Sequence, residues 1–475
     1  MKILILGAGR VGSSVAEALV SEENDITVVD SDGLRLQELQ DRLDLRTVTG
    51  HAGNPSVLDQ AGANDTDILL AVTQSDETNI VACKIADSLF GVPMKIARVR
   101  SGDYVKHPEL FTSKNFAVDH VICPEQIVSD YLAKLIDFPE ALQVLEFARG
   151  LVGLVGVRAL EGGPLVGHEL KDLRDHMPTV DTRVAAIYRG EAPIAPEGNT
   201  VVAAGDEVFF IAARENVRKV MDEMRSRDEP IRRIMLAGGG NIGLRLARAL
   251  EHRCSVKLIE LNRRCAERIA GELKKTLILV GDCTDEELLE AENVDEMDMF
   301  CALTADDENN IMSALLAKRL GARKVVALIN RGAYADLMQA SPIDVALSPA
   351  QVTIGSLLAH VRRGDCVVAH SLRRGAAEAL ELVAHGNADS SRIVGRRVEE
   401  IELPQGAMIA ALVRKLAEPK VVGIEGLVTK HVHEEVVIAH HDTVIESDDH
   451  VIVFVVNKKI IPKVERLFQV AVGFV

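Results

Sequence analysis

The chain has no tryptophan, and aromatic residues make up only 3% of its 475 positions. That poverty excludes the stacking platforms that hold single-stranded nucleic acid. Cationic charge is also in deficit, with 54 Lys and Arg against 71 Asp and Glu and a formal net charge of −17. Such a surface repels phosphate backbones and anionic lipid, so neither nucleic acid nor a bare membrane is an expected partner. No apolar run reaches the ~18 residues of a membrane helix. The N-terminus reads as a strand and glycine turn rather than a signal peptide. Seven cysteines (83, 123, 254, 265, 283, 301 and 366) form no C-x-x-C pair and are odd in number. Set mostly in apolar or helical runs, they read as reduced, buried thiols of a cytoplasmic protein. Neither a Walker lysine motif nor a G-x-S-x-G elbow is present.

What is present begins at once. The first twelve residues read MKILILGAGRVG. A short apolar run, Ile3 to Leu6, has the texture of a buried parallel strand and stops at Gly7. Gly7, Gly9 and Gly12 then supply G-x-G-x-x-G spacing as a helix opens. Gly7 permits the tight turn, Gly9 lets backbone approach a pyrophosphate, and Gly12 lets helix pack on strand. The helix start offers free N–H groups and partial positive charge to phosphates. A second strand, Ile26 to Val29, ends in Asp30, 21 residues beyond Gly9, where an acid binds ribose hydroxyls. The pattern recurs as Ile234-Met235-Leu236-Ala237, then Gly238, Gly240 and Gly243, with Glu260 twenty residues past Gly240.

The recurrence is a duplication. Gly7 and Gly238 are 231 residues apart, as are Gly50 and Gly281. The same offset lays Val72-Thr73-x-x-Asp76-Glu77-x-Asn79 on Leu303-Thr304-x-x-Asp307-Glu308-x-Asn310. The expected fold class is α/β, with two Rossmann-like doubly wound parallel-sheet domains, each followed by a small α+β domain. The expected boundaries are 1–123, 143–227, 232–348 and 366–457. First-copy strands are expected at Lys2–Leu6, Ile26–Val29, Arg46–Thr49, Ile68–Ala71 and Lys95–Val99, with helices from near Val11, Gly33, Pro55 and Ser75. A helix over about 125–136 is expected to cross to a partner domain, with packing on its own sheet as the alternative. Second-copy strands are expected at Arg233–Ala237, Val256–Ile259, Leu277–Val280, Met299–Leu303 and Val325–Ile329, with a helix from Pro349 to about Arg362. The small domains read as short strands, near Val152–Val157, Val184–Tyr188 and Glu207–Ala212, then Cys366–Ser371, Met408–Val413 and His450–Val455. The second carries a longer polar excursion, Val421 to His441.

The first candidate pocket runs along the carboxyl edge of the sheet. Gly7, Ala8, Gly9, Arg10, Val11 and Gly12 form the phosphate turn. Asp30 accepts from ribose and opposes a 2′-phosphate, which disfavours NADP. His51 follows strand three, Thr73 and Gln74 follow strand four, and Arg98 and Arg100 end strand five within reach of phosphate charge. For each residue beyond Asp30, a plain surface-loop role stays open. The second pocket repeats the turn with Gly238, Gly239, Gly240, Asn241, Ile242 and Gly243, plus Glu260. Asn241 replaces Arg10, Leu328 replaces Arg98 and Asn330 replaces Arg100, so the two pockets are expected to differ in ligand preference. No catalytic acid–base constellation stands out. Asp76, Glu77, Asp307 and Glu308 read as helix-start residues that complement the dipole. His431, His433, His440 and His441 read as a solvated hairpin in preference to a metal site, so no metal is expected.

Several stretches together resemble the TrkA family, the regulatory subunits of bacterial Trk potassium-uptake systems, built from tandem RCK (regulator of potassium conductance) domains. They are Ile5 to Gly12, Asp25 to Asp30, Thr73 to Asn79, Asp181 to Ile187, Ala204 to Ile211 and Met235 to Gly243. The excursion at Val421 to His441 is longer than the family's pattern. The resemblance implies a non-enzymatic switch whose glycine-turn pockets take NAD(H), with ATP or ADP as further candidates. It implies a ring of RCK N-domains beneath a membrane potassium-translocating subunit. Eight such domains in a ring would need four tandem chains, so a homotetramer peripheral to the inner face of the membrane is the expected assembly. An NAD-dependent oxidoreductase is the alternative reading, and a free nucleotide sensor a third.

Overall fold

The structure is a computed structural model that describes residues 1–20, 24–190, 192–225, 229–331, 334, 338, 341–361, 366–372, 377–422 and 427–470. Ile3 to Leu6 are almost wholly buried and form the core of β1 (Lys2–Leu6), at the centre of a six-stranded sheet. With β2 (Asp25–Asp30), β3 (Arg46–Thr49), β4 (Ile68–Ala71), β5 (Met94–Arg98) and β6 (His120–Ile122), the order is β3-β2-β1-β4-β5-β6, every pairing parallel. Chain direction around the sheet reverses between β1 and β4, which opens a crevice at their carboxyl ends. Helices α1 (Arg10–Val20), α2 (Gly33–Gln40), α3 (Pro55–Gln60), α4 (Asp76–Ile85) and the short α5 (Gly102–Val105) alternate with the strands. Their starts obey local chemistry. Asp32 accepts from the N–H groups of Leu34 and Arg35, Pro55 opens α3, and Ser75 accepts from Thr78 N. Strand five sits one residue earlier than expected, and the edge strand β6 was not anticipated, since three residues carry too little pattern.

Helix α6 (Pro124–Asp137) settles an open alternative in favour of the crossing. Ser129 Oγ donates to Ile242 O at 3.3 Å, and Gln126 Oε1 accepts from Arg245 Nη1 at 2.8 Å. The first turns of α6 therefore pack on the second copy.

The next stretch makes a five-stranded antiparallel sheet, β7 (Ala141–Phe147), β8 (Val152–Arg158), β9 (Thr182–Arg189), β10 (Ala192–Ile194) and β11 (Glu207–Ala213), ordered β10-β9-β11-β8-β7. The short α7 (Leu173–His176) and the amphipathic α8 (Val217–Met224) accompany it. Strand β7 was missed by the sequence pattern. The second copy follows with β12 (Arg233–Ala237), β13 (Ser255–Glu260), β14 (Leu277–Val280), β15 (Met299–Ala302), β16 (Lys324–Leu328) and β17 (Val345–Leu347), in the same order as the first. Between them run α9 (Asn241–Leu250), α10 (Arg263–Glu272), α11 (Glu286–Ala291) and α12 (Asp307–Arg319), and a helix Pro349–Val361 comes after.

The last sheet comprises β18 (Cys366–Leu372), β19 (Ala377–Val383), β20 (Ala407–Val422), β21 (Leu427–Ile438) and β22 (His450–Val455), ordered β18-β19-β22-β20-β21. This repeats the order of the earlier small sheet. Both also share a bidentate anchor. Arg189 Nε and Nη2 donate to Asp206 at 2.8 and 2.9 Å, and Arg414 Nε and Nη2 donate to Asp449 at 2.8 and 2.7 Å. The duplication thus extends through the small domains. The polar excursion is the long β20–β21 hairpin. The side chains of His431 and His433 lie outside the described residues. His440 Nε2 pairs with Asp181 Oδ1 at 3.0 Å, and His441 is exposed.

By internal contacts the chain divides into two units, Met1–Ala133 with Ile231–Leu357 and Lys134–Pro230 with Leu358–Val475. In the first, two apolar cores lie under the two parallel sheets, one around Leu4, Leu69 and Ala97 and the other around Met235, Phe300 and Ala327. In the second, both small sheets share one core that joins Phe147, Leu154 and Phe209 to Ala379, Ile452 and Phe454. No described helix is long and apolar enough to cross a membrane. All seven cysteines are free, but only Cys83, Cys283 and Cys301 are buried; the other four are half-buried, which corrects the uniform expectation. Burial pushes the thiols of Cys83 and Cys301 up to about 12, so they are inert at neutral pH.

The turn after β1 sets the tolerances of the first unit. A Cβ on Gly12 would lie 1.8 Å from Gly7 O, whereas one on Gly9 would meet nothing within 4 Å. Gly12→Ala is therefore expected to cost about 3 kcal/mol of stability, and Gly9→Ala less than about 1 kcal/mol. Thermal unfolding of the intact chain checks this, and equal melting temperatures for the two variants would contradict it.

Candidate functional site

The crevice at the switch point of the first sheet opens into a cavity of about 700 Å³, within the size range of small-molecule sites. It lies inside the first unit, and both copies line it. The first copy brings Gly7, Gly9, Arg10 and Val11 from the turn, Asp30 from β2, His51 after β3, Thr73 and Gln74 after β4, and Arg98 and Arg100 from the end of β5. The second brings Gly240, Asn241 and Ile242 from its own turn. Ala8, Gly12, Gly238, Gly239, Gly243 and Glu260, also singled out from the sequence, do not line it.

The turn explains that division. Gly7 and Gly238 adopt φ of 109° and 106°, which side chains resist. Gly12 and Gly243 are pressed against the carbonyls of Gly7 and Gly238, and so face inward. Gly9 and Gly240 have open space where a side chain would project. Ala8 N donates to Asp30 Oδ2 at 2.6 Å and Asp32 N to Oδ1 at 2.9 Å. Gly239 N donates to Glu260 Oε2 at 2.8 Å and Asn262 N to Oε1 at 2.9 Å. Each acid therefore locks its own turn while keeping lone pairs for a further donor. The two copies differ behind the turn. A Cβ on Gly239 would lie 2.3 Å from Ile269 Cδ1, space that the Ala8 methyl has in the first copy.

The mouth is braced by residues whose roles the sequence did not disclose. Asn79, fully buried, accepts from Thr73 N at 2.9 Å and Thr73 Oγ1 at 2.7 Å, and donates to Thr73 O and Arg98 O at 3.2 and 2.9 Å. It ties the end of β4 to the end of β5. Asn310 makes the same four bonds with Thr304 and Leu328. Asp76 and Asp307 do more than complement a helix dipole. Buried, Asp76 accepts from Arg100 N and Ser101 N at 2.9 and 2.8 Å, and Asp307 accepts from Asn330 N and Arg331 N at 2.9 and 2.8 Å. The repeated T-x-x-D-E-x-N string was the visible trace of this lock.

Charge is concentrated on one side. Arg98 Nη2 lies 3.1 Å from Glu125 Oε1, both side chains largely buried, and Arg98 Nε is buried with no hydrogen-bond partner. Arg100 donates to Gln74 O and stands 3.6 Å from Asp76. His51 Nδ1 accepts from Gly53 N at 3.1 Å, which holds the ring against its own loop. Glu125 was not foreseen, because nothing in its neighbourhood marks a site beyond the preceding proline. Among the described residues no cluster of three or more His, Cys, Asp or Glu could hold a metal ion. An open backbone cradle at Gly9, a cation with an unused donor and an acid with free lone pairs together suit a ligand carrying both phosphate and sugar hydroxyls.

Comparison with known proteins places this geometry in a family. Residues 3–124 and 234–349 each match the family model of the TrkA-N domain, and 154–225 that of the TrkA-C domain. The chain is 55% identical over 474 residues to the Trk system potassium uptake protein TrkA of Halomonas elongata, with 100% of both chains covered. It is 54% identical over 470 residues to that of Vibrio alginolyticus, with 99% of both covered. The chain belongs to the TrkA family. More distant TrkA homologues align along nearly their whole length, as in Archaeoglobus fulgidus at 32% identity over 471 residues, covering 99% of this chain and 100% of the relative. Among solved structures, the GsuK RCK domain superposes with a TM-score of 0.60 at 17% identity, covering 98% of this chain and 94% of that one. The GsuK channel bound to NAD gives the same score and identity over 98% and 79%. At such identity the likeness is one of fold, and it identifies the tandem RCK architecture of this TrkA-family chain.

Asn79→Ala removes all four bonds of the buried lock. It is expected to cost about 2–4 kcal/mol, because a buried backbone N–H and two carbonyls lose their partner. Denaturant unfolding of the first unit's transition checks the figure. A loss no larger than that of an exposed Asn→Ala control, such as Asn64→Ala, would contradict the lock.

Proposed function

We propose that the chain is a peripheral regulatory subunit of a potassium-uptake system, which binds NAD(H) or adenine nucleotides in its Rossmann domains and gates a membrane potassium-translocating subunit. The proposed division is 1–123 and 232–348 for the nucleotide-binding N-domains, and 143–227 and 366–457 for the small C-domains. Two lines support the reading. Relatives that match end to end are named as Trk system potassium uptake proteins, and the GsuK channel of like fold is described bound to NAD. The single observation that carries the site is the open space over Gly9 within one cavity that also presents Asp30, Arg98 and Arg100.

In this reading Gly7, Gly9, Arg10 and Val11 hold the phosphates, with Ala8 and Gly12 shaping the turn. Asp30 takes the ribose hydroxyls, and His51, Thr73 and Gln74 flank the ring systems. Gly238, Gly239, Gly240, Asn241, Ile242, Gly243 and Glu260 form the second turn. Because Gly240, Asn241 and Ile242 share the cavity with Gly9 and Arg10, a ligand there touches both copies at once. A nucleotide that fits one relative placement of the copies better than another shifts the population between them, to the extent of its differential affinity. The regulator would act as a homotetramer held to the inner face of the membrane by its partner, without catalysing a reaction on the nucleotide.

Calorimetric titration of the intact chain tests the reading. NADH is expected to bind, and Asp30→Ala to weaken binding by about tenfold or more, the worth of a charged hydrogen-bond acceptor. Unchanged affinity for every adenine nucleotide would remove Asp30 from the site. A solution mass of four chains and no NADH consumption with candidate substrates are the accompanying expectations; a monomer, or turnover of NADH, would count against the regulator.

A further inference from the structure

The outer edge of the second parallel sheet departs from the plan of the first. The first sheet ends in β3, Arg46-Thr47-Val48-Thr49, whose one large apolar side chain, Val48, is buried. Arg46 Nη2 donates to Gln60 O at 2.6 Å and Thr47 Oγ1 to Gln40 Oε1 at 3.1 Å, so charge and hydroxyls blunt that edge. The second sheet ends in β14, Leu277-Ile278-Leu279-Val280, which carries no polar side chain. Leu277 is 50% and Val280 47% exposed, and Ile278 and Leu279 are half-buried. Among the described residues no strand pairs with the far side of β14. Its outward backbone groups follow from the ladder. Gly281 N donates to Glu260 O at 3.2 Å, and successive residues of a parallel strand address its two sides alternately. Leu277 and Leu279 therefore bond β13, while Ile278 and Val280 turn N–H and C=O to the free edge. The approach to the strand is anchored, because buried Glu251 accepts from Lys274 N and Lys275 N at 3.0 and 2.9 Å. An anchored, apolar edge with unused backbone groups is a template for another strand.

We infer that this edge is a self-association surface, on which β14 of a second molecule of this chain pairs antiparallel about a two-fold axis and joins the two sheets into one. The edge fits its own reverse. Outward groups must meet outward groups, which sets Ile278 opposite its own symmetry mate and lets the two exchange both backbone bonds. In that register exposed Leu277 lies opposite Leu279, Val280 opposite Thr276, and Lys274 opposite Asp282. Val280 N–H meets the carbonyl of Thr276, which points outward because the next N–H, that of Leu277, points inward. Lys274 and Asp282 are both exposed, and the N–H and hydroxyl of Thr284 hold the Asp282 carboxyl below the usual carboxylate range. Opposite charges thus close both ends of an apolar ribbon. A shift of register by two residues in either direction parts Lys274 from Asp282. A foreign strand would find the same backbone groups without these paired ends. The contact is isologous, so it joins chains in twos, and it does not depend on what the cavity binds.

Oxidative cross-linking of the intact chain tests the pairing. Across a hydrogen-bonded antiparallel pair the Cα atoms stand about 5.5 Å apart, within disulfide reach. Ile278→Cys is therefore expected to give a covalent species of two chains on oxidation, in excess of any from the seven cysteines of the unaltered chain. Val280→Cys lies on the same face and is more exposed, yet is expected not to exceed the unaltered chain, because Thr276 and not a second Val280 stands opposite. No excess at 278, or an equal excess at 280, would overturn the inference. The second arm is solution mass at one fixed concentration. Ile278→Pro removes only an outward N–H and leaves the β13 ladder whole. Ile278→Lys keeps every backbone group but sets two like charges across the axis, and guards against misfolding of the proline variant. Each folded variant is expected to have half the mass of the unaltered chain. An unchanged mass would overturn self-pairing and leave the edge to a strand of another protein.

Discussion

Where α1 leaves β1, a helix passes so close to a turn that Gly12 stands against the carbonyl of Gly7 with no room for a methyl group. That contact fixes the height and direction of α1 over the sheet. It thereby leaves Gly9 uncovered and lets Ala8 donate to Asp30 across the switch point. The cavity follows from this constraint together with the two buried side chains that clamp the opposite rim, Asn79 between β4 and β5 and Asp76 beneath the loop after β5. Function in such a fold depends on backbone held in an uncommon shape, and here glycines and buried polar groups hydrogen-bonded to the backbone share that task.

Duplication repeats the constraint, and divergence uses it. The second copy keeps the strained glycine, the close helix contact, the acid that locks the turn and the Asn310 clamp. It changes what faces the cavity: Asn241, Leu328, Asn330 and Ala350 stand where the first copy has Arg10, Arg98, Arg100 and Glu125. Residues that hold shape are repeated, while these cavity-lining positions differ. The two turns open on one asymmetric cavity, with charge supplied mainly from one side.

Much of this was legible before any coordinates. The glycines, the strands β1 to β5 and β12 to β16, the acids after β2 and β13 and the helix crossing at Pro124 follow from continuous apolar runs, turn residues and spacing. Other elements were not. Strand β19 reads AEALELV, a string of helix formers; it is a strand because its sheet supplies neighbours on both sides and because buried Glu381 finds Ala148 N at 2.8 Å and His450 Nδ1 at 2.7 Å. Edge strands β6 and β17 are too short to carry a period. Glu125 was invisible as a cavity residue because its partner lies 27 positions earlier, and the two meet only through the angle at which α6 enters. Local chemistry writes itself into sequence as spacing, whereas pairings made by tertiary approach leave no spacing to read.

The central claim is that nucleotide seated at the first glycine turn controls potassium uptake. The most direct test is potassium uptake at low external potassium by a strain lacking this gene, complemented with the unaltered chain or with Gly9→Ala at equal protein level. That variant adds one methyl in open space, where only a ligand would meet it. The account predicts that the unaltered chain restores uptake and Gly9→Ala does not, with both proteins folded. Full restoration by Gly9→Ala together with lost nucleotide binding, or normal uptake in the strain without any copy, would contradict it.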